Sequence, residues 1–235
     1  MEQLEQALAY LGRDPLFYMD MLEPLRRGTA ELLYAEEDGV LLCESGGIHM
    51  MSAAGPAAAE RCFALLSRCA MLVGHELWYK AEAARRFGLH EEQICYQAAW
   101  LAPDPPAAAP FGGELRLLGE EMAQWVYDHY SHPFGGVAYM QGALRRGMLG
   151  AFVDGACAGF AGFHEEGSIG MLEVLPVYRR RGVGEALLRG AVRLALERGQ
   201  YAFGQVLIDN APSLALQKKV GMTVAREPLY WLFRR

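Results

Sequence analysis

Three consecutive arginines, Arg179, Arg180 and Arg181, stand just before a Gly-x-Gly pair, Gly182 and Gly184, and just after a mostly apolar run (169–175) halted by Pro176. The run reads as a largely buried strand. From Val183 onward, apolar or small residues recur at Ala186, Leu187, Gly190, Ala191 and Leu194, the spacing of a helix with one buried stripe. A strand that enters a helix through such a turn presents the helix's first backbone N–H groups, which have no partner within the helix, to whatever lies in front of them. Glycines let a ligand approach the backbone, the helix dipole favours negative charge, and the guanidinium groups add cationic donors. A pyrophosphate fits this description. An ordinary strand-to-helix turn with solvated arginines would carry the same residues.

A second motif lies downstream. The spacing Arg179-x-x-Gly182-x-Gly184 after Val174-x-Pro176 resembles the coenzyme A signature of the GNAT superfamily of N-acetyltransferases, and NAPSLALQKKVGM (Asn210 to Met222) resembles the later motif of that family. The resemblance covers about residues 114–235, roughly half the chain. Within the superfamily, HEEGSIGMLEVLPVYRRRGVG and LQKKVGM are most similar to the branch containing glycine N-acyltransferase-like proteins. The resemblance implies an acyl-CoA-dependent N-acetyltransferase, with acetyl-CoA or another short acyl-CoA as co-substrate and the primary amine of a small molecule or peptide as acceptor. It further implies that backbone groups of Leu172 and Val174 pair with the pantetheine arm. The N–H groups of Arg180, Arg181, Gly182, Val183 and Gly184 would hold the pyrophosphate, with the side chains of Arg179 and Arg181 nearby. Asn210 and Ser213 would touch the cofactor from the next helix, although helix capping accounts for both residue types equally well.

The chain departs from the pattern at two positions. Gln217 stands where many members carry a tyrosine suited to protonate the departing thiolate, and Gln205 stands where some carry a glutamate base. Neither amide can transfer a proton. A thiol of pKa near ~8.5 leaves readily without help, whereas an alkylamine of pKa near ~10 is mostly protonated at neutral pH and gains from a base. Glu173 is the first candidate for that base, being the sole charge in its apolar run, where desolvation would raise its pKa. A solvated or arginine-paired Glu173 is the competing reading. Glu166 and His164, at the next turn with Glu165, are the alternatives; His129 and His132 flank Tyr130 and Ser131 before Pro133, in a loop that could line the acceptor pocket. No cysteine adjoins the arginine–glycine loop, the nearest being Cys157, so direct attack in a ternary complex is expected rather than an acyl-enzyme. The glutamines also raise a reading of another class, a CoA or acyl-CoA binding protein without transferase activity. No His, Cys and Asp spacing supports a metal.

The elements that must position these groups are legible around them. GMLGAFVDGACAGFAGF reads as a hairpin turning at Asp154-Gly155, followed by the strand at 169–175, the helix from Val183 to a stop at Gly199, a strand at 202–208, a helix at 211–220 and a last strand at 228–235. The first half repeats this order faintly. Helices at 2–11 and 15–27 precede a hairpin at Asp38-Gly39, a strand at 48–52, a helix at 57–69, a strand at 71–73, a helix at 76–87 and a strand at 93–101. The expected fold is therefore α/β, a GNAT-type mixed sheet flanked by helices over 114–235, joined by a Pro/Gly/Ala-rich linker at 103–113 to an N-terminal α/β domain over 1–102. Duplicated topology and two unrelated modules are both open. The first half has Ala53-Ala-Gly-Pro-Ala-Ala-Ala-Glu60 where the second has its arginines and glycines, so it is expected to bind no pyrophosphate and to wall one side of an acceptor cleft.

Composition narrows the function classes. At 235 residues, 52% hydrophobic and 21% charged, the chain can bury a large core and lies far from the disordered regime. Net charge is −8 over residues 1–112 and +2 over 113–235; the whole carries −6, the wrong sign for holding nucleic acid through many phosphates. The acidic first half weakly favours a cationic acceptor. No segment has the ~18–20 apolar residues of a spanning helix, and the acidic start lacks a signal peptide's basic flank, so a cytoplasmic protein without membrane partners is expected. Five cysteines without a CxxC pair argue against a disulfide framework and for buried thiols.

Overall fold

The computed structural model describes residues 2–44, 46–132 and 135–234; Pro133 and the end of the expected last strand at Arg235 lie outside the described residues. Helices α1 (Glu2–Leu11) and α2 (Met19–Arg27) lead into β1 (Ala30–Glu36) and β2 (Gly39–Glu44), which turn at Asp38-Gly39. Then follow β3 (His49–Ala53), α3 (Pro56–Leu65), β4 (Met71–Gly74), a 3-10 turn (Leu77–Tyr79), α4 (Lys80–Phe87) and β5 (Glu91–Ala99). The helix expected from residue 15 begins at Met19, because Asp14 accepts a hydrogen bond from the Phe17 N–H (3.1 Å) and forms a separate turn. After the proline-rich stretch come β6 (Glu114–Leu117), α5 (Ala123–His129), α6 (Gly136–Gly147), β7 (Leu149–Val153), β8 (Ala156–Phe163) and β9 (Ile169–Val174). The chain ends with α7 (Val183–Glu197), β10 (Phe203–Leu207), α8 (Ala211–Val220) and β11 (Thr223–Phe233). Strand β6 was not expected, and β11 begins five residues earlier than its aromatic cluster suggests.

Two compact units emerge, and they do not follow a single cut at the prolines. The first runs to Gln97 and includes Val206–Asn210 and the chain from Val224 on; the second holds Ala98–Gln205 and Ala211–Thr223. In the first unit the sheet order is β1-β2-β3-β4-β11-β5-β10, with β3 parallel to β4 and β11 antiparallel to β4. Successive residues of a strand face opposite sides, so Leu42 and Met50 join the Tyr10, Leu11 and Met21 core of α1 and α2, while Leu41 and Met51 join Cys62, Phe63 and Tyr79 on the other side. The chain is α/β with a mixed sheet flanked by helices, as expected, but the mixed sheet lies in this unit and takes in β10 and β11, which the sequence reading placed in a mixed sheet over 114–235.

In the second unit β6-β7-β8-β9 form an antiparallel sheet with β9 at its edge. Leu149 lies against Gly190 of α7, whereas Phe160, opposite Gly150, joins Val126 of α5 and Met140 of α6. Helix α7 therefore covers one face and the α5–α6 pair the other. The stretch 101–113 has no regular structure but is held in this unit: Trp100 Nε1 donates to the Asp104 carbonyl (2.9 Å), Arg193 Nη1 to that of Pro106 (3.3 Å), and Pro106 is buried. Among the described residues, no helix is long and apolar enough to cross a membrane.

Candidate active site

Strand β9 is irregular where the chemistry is expected. Its pairing with β8 runs Gly159 to Val174 and Phe160 to Glu173, then slips so that Gly162 faces Gly170. Two residues of β9, Met171 and Leu172, thus stand against one of β8, Ala161, and Met171 at the slip has φ +50°, the mark of a bulge. A bulge on an edge strand takes backbone groups near Leu172 out of the ladder. Gly204 at the start of β10 comes close to Ile169, where an added Cβ would lie 2.6 Å from the carbonyl oxygen, yet the two strands form no ladder. The free edge of β9 is suited to accept an extended, amide-bearing chain as an added strand.

The chain leaves β9 through a 3-10 turn (Pro176–Tyr178) and reaches α7 by way of two residues in the left-handed region, Arg180 (φ +62°) and Gly182 (φ +82°). Backbone of this alternating kind turns successive N–H groups towards one side and makes an anion-binding concavity. Gly182 caps α7 without a side-chain hydrogen bond, so nothing of that kind covers the first turn. The one acidic residue of that turn, Glu185, is tied away by Lys219 (2.6 Å) and Arg189 (3.1 Å), and the Lys219 hydrogen bond holds its carboxyl below the usual range. Arg180 and Arg181 are exposed, with the Arg181 guanidinium 5.4 Å from the Tyr178 ring centre.

Not every expectation about this loop is met. Arg179 folds back: its Nε donates to the Val174 carbonyl (3.0 Å) and its Nη2 lies 3.4 Å from Glu173 Oε1. It therefore secures the end of β9, and the Val174 carbonyl already has a partner. The glycines also serve differently from each other. A Cβ on Gly182 would meet the Pro110 carbonyl oxygen at 3.3 Å, while one on Gly184 would touch Leu216 and Val174 at 3.5 Å, inside the packing of α7 on α8 and β9.

Glu173 is 9% exposed and, lying opposite Phe160, faces the α5–α6 side. Its Oε2 accepts from both the backbone N–H (3.1 Å) and the hydroxyl of Ser131, in the loop after α5. Tyr130 packs its ring against Phe160 at 6.3 Å, and burial together with the nearby Glu173 charge pushes its phenol up to about 12. Sequence reading named this loop but gave Ser131 no role. His129 is taken up elsewhere, its ring stacked on Trp125 (4.2 Å) with Nδ1 on the Trp125 carbonyl (2.8 Å).

Glu166 and His164 sit at the opposite end of β9, in the turn from β8. Glu166, 2% exposed, accepts from the Ser168 hydroxyl. His164 Nδ1 lies 2.7 Å from the Tyr139 hydroxyl, and desolvation holds its pKa below the usual histidine value. Ser213 lies in the first turn of α8 and is counted with this unit, whereas Asn210, just before α8, is counted with the first. Gln217 of α8 is 5% exposed, and its Oε1 has no partner among the described residues. Among the described residues no cluster of metal-ligating side chains occurs.

The corresponding place in the first unit is built otherwise. Pairing of β3 with β4 continues through Met51 and Gly74, and the His75 N–H then donates to the Met51 carbonyl (3.2 Å), leaving no free edge. Pro56 at the start of α3 removes a first-turn donor. A carboxylate of the chain itself, Glu76, accepts from the Ala53 N–H (3.0 Å) and the Ser52 hydroxyl (2.6 Å).

The profile of the Acetyltransferase (GNAT) family matches residues 115–222, so this stretch of the chain is similar to a GNAT acetyltransferase domain. A Drosophila protein of known structure superposes with a TM-score of 0.71 at 18% identity, over 99% of this chain and 95% of that one. A GNAT-family acetyltransferase from Novosphingobium aromaticivorans gives 0.59 at 18% identity, over 92% and 95%. A tandem GNAT protein of the clavulanic acid biosynthesis pathway gives 0.50 at 16%, over 98% and 94%. At these identities the likeness is one of fold. No curated protein matches the sequence.

Proposed function

We propose that this protein is an acyl-CoA-dependent N-acyltransferase that moves an acetyl or short acyl group to the primary amine of a small molecule or peptide. The observation that carries this reading is the continuity of the bulged free edge of β9 with the loop of left-handed residues and the uncapped start of α7. The pantetheine arm lies along β9 near Leu172 and Val174, and the pyrophosphate rests on the N–H groups from Arg180 to Gly184. Glu173 takes the proton from the attacking amine, directly or through water. The amine nitrogen forms a bond to the thioester carbonyl carbon, the C–S bond breaks, and the thiolate takes its proton from water, since Gln217 has none to give. Direct attack is supported by the state of Cys157, whose thiol burial pushes up and which donates to the Gly159 carbonyl (3.5 Å).

The first unit is read as a GNAT-like module that has lost its cofactor place: its strands stay paired and Glu76 fills the position with a carboxylate. The likeness of the second half to glycine N-acyltransferase-like proteins makes amino acids the first acceptors to try. The test is release of free thiol from acetyl-CoA and longer acyl-CoA species against a panel of amines and amino acids. Acceptor-dependent release supports the reading. Tight CoA binding with no release on any acceptor replaces it with a binding protein, and acylated protein accumulating without acceptor overturns the ternary mechanism.

A further inference from the structure

We infer that Ser131 is the positioning residue for Glu173 and that Oε1 is the oxygen that receives the amine's proton, an assignment that rests on the transferase reading above. The two carboxylate oxygens have unlike surroundings. Oε2 accepts from the Ser131 N–H at 3.1 Å and from the Ser131 hydroxyl, two donors from one residue forty-two positions away. Among the described residues, Oε1 has only Arg179 Nη2 at 3.4 Å, a long contact from a guanidinium whose Nε is engaged at 3.0 Å on the Val174 carbonyl. An oxygen bound by two donors has little basic capacity left, whereas one facing a single loose contact retains its lone pairs for a substrate proton.

The fold explains why a second element is needed. Glu173 is next to the last residue of an edge strand, and a glutamate side chain there has three rotatable bonds to fix. Phe160 opposite it is apolar and offers no hydrogen bond. Ser131 supplies the missing constraint from the loop between α5 and α6, so the carboxylate is aimed by one loop and the strand by Arg179. Placing a reacting group by hydrogen bonds from packed neighbours is what separates a productive base from a nearby carboxylate.

The test compares Ser131→Ala and Ser131→Thr in the full chain, with turnover, CoA affinity and the side-chain carboxyl NMR signal of Glu173 as readouts. Ser131→Ala is expected to lower kcat about 10-fold with the CoA Kd unchanged and the acceptor KM within about twofold, and to shift the Glu173 carboxyl signal. Ser131→Thr keeps the hydroxyl and is expected to restore kcat to within about threefold and return the signal. Ser131→Ala added to Glu173→Gln should cost little more than Glu173→Gln alone, since both act through one carboxylate. Wild-type kcat in an active Ser131→Ala enzyme would overturn the Ser131 assignment alone. Equal losses in the Ala and Thr variants, with CoA affinity falling in parallel, would make the residue a structural one. Absence of turnover in the wild type would remove the reaction itself, and the positioning role with it.

Discussion

Replacing Gly182 by alanine separates backbone strain from ligand clearance. Gly182 has φ +82°, and a residue with a Cβ in the left-handed region costs roughly 1–2 kcal/mol. The new Cβ would also lie 3.3 Å from the Pro110 carbonyl oxygen, so the fixed stretch before β6 has to yield slightly. For a chain of this length, 1 kcal/mol lowers Tm by about 2–4 °C, so Gly182→Ala should melt roughly 2–8 °C below the wild type. If the backbone instead relaxes to negative φ, the N–H groups at the start of α7 turn away from the concavity. Loss of a single charge-assisted hydrogen bond, about 1.5–3 kcal/mol, weakens CoA binding about 10-fold or more. Gly184→Ala is the control: its Cβ makes ordinary 3.5 Å contacts with Leu216 and Val174, and alanine suits a helix better by up to about 1 kcal/mol. Calorimetric melting and CoA titration of both variants decide it. A Gly182→Ala protein with wild-type Tm and affinity, or a Gly184→Ala protein that is the less stable of the two, would refute the argument.

Three other outcomes follow from the same geometry. Glu173→Gln should lower turnover near neutral pH by roughly 10²-fold with CoA affinity unmoved, and raising the pH should recover part of the rate as more amine arrives neutral; wild-type turnover from pH 6 to 9 would remove Glu173 from the reaction. In the first unit, buried His75 contacts Asp20 (3.0 Å) and the Met51 carbonyl (3.1 Å), so Asp20→Ala should cost roughly 3–5 kcal/mol in urea unfolding, and a loss below 1 kcal/mol would contradict a buried pair. Burial alone would lower the His75 pKa, but Asp20, Glu76 and the Met51 carbonyl outweigh it and the net shift is upward. The stabilisation is therefore complete below the unfolded value near ~6.5 and is lost as pH rises through the higher folded value, a slope that His75→Gln should flatten in unfolding measurements between pH 6 and 9.

Local features of the second half were legible because their causes are local. The helix from Val183 follows from its apolar spacing, and the turn before it from glycine's tolerance of positive φ at Gly182. Glu173 stood out as the one charge in an apolar run. Its partner did not, since Ser131 lies in a loop and is brought to the carboxylate only when α5 and α6 pack on Phe160. Side-chain direction was equally hidden: the arginine–glycine spacing suggested a loop of cations and clearances, yet Arg179 turns back onto β9 and Gly184 answers to Leu216 and Val174. The aromatic residues near the C-terminus announced a strand, but pairing of Trp231 with Val73 is a contact between distant parts of the chain that no local pattern encodes. Closure of the first unit's strand pair was legible only in part, through the missing arginines and Pro56.

Backbone amide NMR during titration with acetyl-CoA tests the central claim most directly, because it reads each candidate contact separately. The account predicts the largest shifts at Leu172, Val174 and Arg180 through Gly184, with Ala53 to Ala57 of the first unit unmoved. Unmoved signals at Arg180 through Gly184 at saturating acetyl-CoA, or shifts concentrated at Ala53 to Ala57, would contradict it.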